Sequence, residues 1–264
     1  MGKKELTIAE IQAQALKVLK HVASFCDSRG LRYSIAYGTL IGAVRHHGFI
    51  PWDDDIDIIM PRSDYETFLA TYNDAYYKMI KGEGLSNHLH VVVSDPQTVV
   101  VFKSQYDSFY YKGGVWVDIF PMDLVPDKKD AYEKLRNRIK HLCKLQHIAE
   151  ISIKRNNFFV NAASFLIHVI LHPFRNILGR HAQQLLVSNN KESETCANLS
   201  LWYLNYPPIP SKWLESYDDL EFEGTRFKVL SEYHEFLTKV YGNYMQLPPE
   251  KDRVPRHSYK AFFK

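Results

Sequence analysis

Apolar residues at Ile11, Ala15, Leu16, Val18, Leu19, Val22 and Phe25 recur at helical steps, which predicts an amphipathic helix. Thr7 and Glu10 open it with a capping-box pattern, and Gly30 marks its end. The period then shortens. Apolar runs at 33–37, 88–93, 99–102 and 115–120 read as strands. Asp95-Pro96 supplies a turn between the second and third, and Gly113-Gly114 a break before the last. Ser63 and Glu66 match a second capping box, ahead of a helix with Phe68, Leu69 and Tyr72 on its apolar face. Tyr132, Leu135, Ile139, Leu142, Leu145 and Ile148 form the stripe of a charged helix from Asp127 to about Lys154. Residues 188–198 read as a loop and 207–210 as a rigid turn. Residues 220–229 read as a hairpin turning at Gly224, and 231–241 as a helix stopped by Gly242.

The pattern is broken most sharply between Tyr37 and Met60. There Asp53, Asp54, Asp55 and Asp57 run directly into Ile58, Ile59 and Met60. Alternation along a strand puts Asp55 and Asp57 on one face and Ile56 and Ile58 on the other. An acidic run alone reads as a solvated loop, but Asp57 lies inside the apolar run. Two carboxylates side by side on a half-buried strand repel each other unless a cation or a proton lies between them. A hard divalent cation with oxygen ligands, Mg2+ or alternatively Mn2+, resolves this.

Other candidates flank the stretch. Gly38 and Thr39 turn the chain into a short helix whose N-terminal amides offer a phosphate site; a plain N-cap explains the pair equally well. Arg45 has two compatible readings, a bidentate phosphate ligand or a partner of the nearby aspartates. His46 and His47 lack cysteine partners for zinc, and Trp52 reads as core or as a base-stacking surface. Lys103, at a strand end, is either solvated or turned to phosphate. Asp118 lies within an apolar strand, on the face of Trp116, where an unpaired carboxylate is costly. It is therefore expected to be the third carboxylate. Asp123, after Pro121, reads as a loop cap.

Three segments resemble the LicD family and, more broadly, fukutin-like nucleotidyltransferases. They are Gly38–His46 with Gly48–Asp57, Val117–Asp123, and Tyr241–Pro249. The resemblance implies an α+β fold of the nucleotidyltransferase (polymerase-β) type, a mixed sheet flanked by helices with a helical insertion. It divides the chain into a catalytic core at 1–126, a helical insertion at 127–210, and a C-terminal hairpin and helix at 211–264. It implies an enzyme that moves a phospho-alcohol, typically phosphocholine, from a CDP-linked donor to a sugar hydroxyl of a cell-surface glycan. CDP-ribitol, CDP-glycerol and NTP-dependent nucleotidyl transfer are alternatives served by the same residues, and a non-catalytic binding protein of the same fold is a third class. In this frame Asp55, Asp57 and Asp118 are the catalytic and metal-binding residues. Gly38, Thr39, Arg45 and Lys103 bind the donor. A choline cation also wants an aromatic cage, which 17 tyrosines permit but the sequence does not place.

A formal charge of +3 is too mild to suggest a nucleic-acid partner. Cys26, Cys143 and Cys196 are odd in number and far apart, so neither a disulfide framework nor a zinc site is expected. The start lacks an apolar signal region, and a cytoplasmic protein is expected. Phe158–Leu171 is apolar nearly all round and too short to span a bilayer. Lys154, Arg155, Arg175 and Arg180 flank it. It reads either as a helix lying in the membrane interface or as a buried core helix. The resemblance places a lipid-linked glycan acceptor at the inner face of the cytoplasmic membrane.

Overall fold

The computed structural model describes residues 4–80, 89–102, 113–150, 158–188, 192–255 and 259–264. Helix α1 (Ile8–Ser28) is closed at its N-terminus by the expected reciprocal bonds between Thr7 and Glu10. Its apolar face, from Ile11 to Cys26, is buried in the main core. Burial at about 25 cal/mol per Å2 of apolar surface, more than helix propensity, holds such an element in place.

The sheet that α1 covers is organised by β6 (Trp116–Val125). Strand β2 (Asp57–Pro61) runs parallel to β6, and β1 (Ser34–Ile35) pairs antiparallel to β2. On the other edge, β4 (Val91–Ser94) pairs antiparallel with β6 and carries β3 (Lys78–Ile80). The sheet is thus mixed, with the order β1-β2-β6-β4-β3. Strand β5 (Thr98–Phe102) leaves this sheet and pairs with the C-terminal β11 (Tyr259–Phe263). Helices α2 (Tyr37–His46) and α3 (Arg62–Thr71) flank β2 in sequence.

Helices α4 (Lys129–Glu150), α5 (Phe158–Leu171) and α6 (Arg175–Ser188) follow. Tyr132, Leu135, Ile139 and Cys143 of α4 meet Ala182 and Leu186 of α6 in a second core, which also contains Val125 of β6. The chain then returns to the sheet. Residues 195–197, expected to be loop, form β7, which pairs with β6 and with β8 (Ile209–Pro210). β9 (Tyr217–Phe222) and β10 (Thr225–Leu230) form the expected hairpin. Its two turn residues, Glu223 and Gly224, both have positive φ, 52° and 66°, the backbone of a tight hairpin turn. α7 (Tyr233–Tyr241) ends at Gly242, φ 70°.

Three local expectations are corrected. Ser63 and Glu66 form no capping box: α3 starts after Pro61 with no side-chain cap. Glu66 bonds Arg62, and Asp64 is drawn to Arg32, whose Nη2 lies 2.6 Å away. Asp123 is not a loop cap but a fully buried residue of β6, held by Arg62 through two hydrogen bonds of 2.6 and 2.7 Å. Helix α5 is not a core helix: Phe165, Leu166 and Ile170 are 60, 61 and 56% exposed. No helix among the described residues is long and apolar enough to cross a membrane. The three cysteines are buried and free.

Candidate active site

The parallel register of β2 and β6 sets Asp57 beside Asp118. Both backbones are tied there. Asp118 N–H donates to the Ile56 carbonyl at 2.8 Å, and Asp57 N–H donates to Thr39 Oγ1 at 2.9 Å. The two side chains line a cavity of about 700 Å3, together with Asp53, Asp55, Gly38 and Arg45. That volume suits a small-molecule site.

Asp118 is held from two directions. The indole Nε1 of Trp116 donates to Oδ2 at 2.7 Å, and Nε2 of His90 lies 3.2 Å from Oδ1. Trp116 and Asp118 share a face, as strand alternation requires. His90 also packs on Phe120, ring centroids 4.7 Å apart. It went unnoticed in the sequence because only the register of β4 against β6 brings it to Asp118.

Upstream, one carboxylate oxygen each from Asp53, Asp54 and Asp55 falls within a 4.8 Å group. Of these, Asp53 and Asp55 reach the cavity. The donor set here is all oxygen, which fits a hard divalent cation and not zinc. Gly38 is needed at the head of α2 for a specific reason: a Cβ there would lie 2.6 Å from Oδ2 of Asp53. The close approach it permits is that of a carboxylate to a helix N-terminus, a favourable charge–dipole arrangement. Thr39 is only 3% exposed. Its hydroxyl accepts the Asp57 amide, so it stands behind the carboxylates and not among the cavity-lining residues. Lys103 lies outside the described residues.

Arg45 reaches across to the C-terminal segment, where Nη1 donates to the Tyr244 carbonyl at 2.8 Å. Its Nε donates to His46 Nε2 at 3.0 Å. Burial, with help from Arg45, lowers the His46 pKa. Burial, and then the charge of Arg253, lowers Arg45 itself, though an arginine stays cationic at neutral pH. Arg253 lies over the Trp52 ring at 5.8 Å. Arg45 thus brings positive charge to the cavity that Asp53, Asp55, Asp57 and Asp118 also line. The bend before the acidic run is pinned by the hairpin tip: Glu223 Oε1 accepts from Phe49 N–H at 3.0 Å, and a Cβ at Gly48 would collide with the same oxygen.

Aromatic side chains drawn from distant parts of the chain also line the cavity. Tyr37 opens α2 with φ 49°, a strained backbone for a bulky residue. It is held by stacking on Tyr206, centroids 5.0 Å apart at 17°, and by a hydrogen bond of 3.0 Å from Asn198 Nδ2 to its hydroxyl. Tyr241 meets Tyr206 edge-on at 5.8 Å. Tyr203 is 59% exposed, yet it lines the same cavity. Burial raises its pKa, and the charges of Asp118, Asp57 and Asp55 raise it further.

Comparison with known proteins agrees with this architecture. Residues 30–158 match the LicD/FKTN/FKRP nucleotidyltransferase domain. The chain is 29% identical over 267 residues to the lipopolysaccharide cholinephosphotransferase LicD of Haemophilus influenzae, covering 98% of this chain and 99% of that protein. The chain is thus similar to LicD-family proteins: the domain match spans just under half of it, and the Haemophilus protein aligns along nearly all of it. Two uncharacterized rickettsial proteins share shorter stretches. RT0683 of Rickettsia typhi is 28% identical over 46% of this chain and 38% of its own length. RP689 of Rickettsia prowazekii is 32% identical over 28% of this chain and 30% of its own length. The LicD-domain match contains Gly38, Thr39, Arg45, Asp55, Asp57 and Asp118. Tyr203, Tyr206 and Tyr241 lie beyond it, in a part of the chain aligned with the Haemophilus protein.

Proposed function

We propose that this transferase moves phosphocholine from CDP-choline to a sugar hydroxyl of a cell-surface glycan, with release of CMP. The observation that carries the reading is the end-to-end similarity to a named cholinephosphotransferase. The geometry agrees with it. Phosphoryl transfer asks the protein chiefly for positioning and charge neutralisation. Asp55, Asp57 and Asp118 would hold Mg2+, which when bound supplies positive charge to the donor diphosphate. Arg45, which lines the same cavity, would meet phosphate oxygens. Thr39 holds the Asp57 backbone in place. Asp118, fixed by Trp116, either completes the metal site or accepts the proton of the attacking hydroxyl. In this reading the β1-β2-β6 unit is the core of a nucleotidyltransferase-type fold, and 127–210 is its insertion. Phosphorus NMR of the reaction tests it: CDP-choline should yield CMP and a phosphodiester on the sugar. Pyrophosphate release from CTP would instead make the chain a nucleotidyltransferase.

The metal gives a second test. EDTA should abolish turnover, and Mg2+ or Mn2+ should restore it, because the donor set is all carboxylate. Rescue by Zn2+ alone would overturn the assignment.

We also propose that α5 rests on the cytoplasmic face of the membrane, where a lipid-linked acceptor would be met. Its exposed Phe165, Leu166 and Ile170 are continued by Phe174 and Ile177, 52 and 53% exposed. Arg175 and Arg180 follow in the sequence, and each basic residue near an anionic surface contributes about 1 kcal/mol. The protein is expected to sediment with anionic vesicles at low salt and to be released as salt rises. Serine at Phe165, Leu166 and Ile170 together should abolish sedimentation while the thermal midpoint stays nearly constant. A parent protein that ignores vesicles would end this reading.

A further inference from the structure

The site as described accounts for the diphosphate but not for the alcohol that is moved. The tyrosines beside the carboxylates address that question. Tyr206 and Tyr241 meet with their ring planes at 65°, so they form a corner. Tyr37 backs Tyr206 by near-parallel stacking. Tyr203 comes from the same loop as Tyr206 and is the exposed member. All four line the cavity that holds Asp55, Asp57 and Asp118.

The hydroxyls of three of them are already engaged. Those of Tyr206 and Tyr241 lie 3.2 Å apart as a hydrogen-bonded pair, and that of Tyr37 accepts from Asn198. A polyol would need such hydroxyls as partners. A quaternary ammonium needs none: it has no N–H to donate, and its methyl groups pack on electron-rich ring faces. The carboxylates add a negative field over the same rings. Whatever negative charge they keep beyond that of a bound cation favours a cationic headgroup over its neutral isostere and works against an anionic one. Burial, reinforced by neighbouring tyrosines and Asp57, raises the Tyr241 hydroxyl well above its ordinary value, so the ring stays a neutral phenol.

We propose that Tyr203, Tyr206 and Tyr241, backed by Tyr37, form the subsite for a trimethylammonium headgroup and so decide which phospho-alcohol is accepted. This rests on the phosphocholine reading above and names the residues that would enforce it.

The test compares CDP-choline with its uncharged carbon isostere, CDP-3,3-dimethylbutanol, which has the same shape without the charge. The parent enzyme should favour choline by about tenfold or more in kcat/KM, the scale of a desolvated cation–π contact. Tyr203→Leu keeps bulk and removes the ring. Because Tyr203 is largely exposed, this variant should fold. Its preference should fall to within about threefold, while Tyr203→Phe retains the parent preference. Equal discrimination by the parent and Tyr203→Leu would overturn the subsite and leave phosphocholine transfer standing. A parent that transfers no phosphocholine would overturn the broader reading. In that event, titration with tetramethylammonium decides the subsite by itself. Saturable shifts of tyrosine ring resonances in the parent, weakened in Tyr203→Leu, support it, and no shift in the parent rejects it.

Discussion

Asp57→Asn is expected to lower turnover on the order of a thousandfold while leaving the fold intact. The argument starts from the backbone. Asp57 is placed by its register with Asp118 and by the bond from its amide to Thr39 Oγ1. Neither depends on the charge of its side chain. Replacing the carboxylate by an amide of the same shape therefore preserves the geometry. It also removes one charge from a group of aspartates that repel each other, so the thermal midpoint should hold or rise. Catalysis should respond in the opposite sense. On the proposed function, an amide is a poor ligand for a hard cation and would leave the donor diphosphate less well neutralised. Several kcal/mol of transition-state stabilisation depend on that neutralisation, and about 4 kcal/mol is a thousandfold. Asp118→Asn should lose a comparable amount if Asp118 is a ligand, and less if it serves only as a base. The measurements are CMP release under saturating donor and a thermal melt of each variant. A folded Asp57→Asn protein with near-normal turnover would remove Asp57 from the chemistry.

Much of this wall was legible in the sequence because its signals are local. The alternation that put Asp55 and Asp57 opposite Ile56 and Ile58 is a property of adjacent residues. So are the Thr7–Glu10 cap and the turn at Gly224, and both appear as expected; Asp55 and Asp57 line the cavity while Ile56 and Ile58 are buried, although the strand itself begins only at Asp57. The failures share a different cause. Ser63 and Glu66 have the spacing of a capping box, but the Ser63 hydroxyl joins the Arg32–Asp64 pair, with Arg32 lying 31 residues upstream, and Glu66 takes Arg62. A local motif lost to a long-range ion pair.

Pro121 misled in another way. Proline usually ends a strand, because it cannot donate to the ladder. Here the Asp118 amide points toward β2, so alternation turns the nitrogen of Pro121 to the opposite side. On that side β4 pairs only as far as Ile119, and β7 begins at Asp123. The missing donor falls in the gap. The strand runs on, and Asp123 becomes core. The aromatic subsite had no local signal at all: Tyr37, Tyr203, Tyr206 and Tyr241 meet only through the fold.

Arg62→Met is the substitution expected to cost the most stability, about 3–5 kcal/mol. Arg62 is 4% exposed and Asp123 is 0% exposed. The guanidinium grips both carboxylate oxygens, from Nε at 2.6 Å and from Nη2 at 2.7 Å. Burial works against the Arg62 charge, and its bonds to Asp123 more than offset this, so its pKa is raised. Methionine fills similar volume but leaves Asp123 buried with its partner gone. The loss is far larger than that of an exposed pair such as Lys4–Glu10, which solvent screens. At 2–4 °C per kcal/mol for a chain of this size, the midpoint should fall by about 10 °C. Arg62→Met combined with Asp123→Leu should recover most of that, because no charge is then left unpaired. The pair also bears on the site. It joins the residue after β2 to β6, the two strands that carry Asp57 and Asp118, and a one-residue slip between them would turn every side chain of one strand to the other face. If the ion pair serves register as well as stability, the double variant should regain its melting temperature without regaining full turnover. A single Arg62→Met variant melting within a degree or two of the parent would show that the buried pair contributes neither.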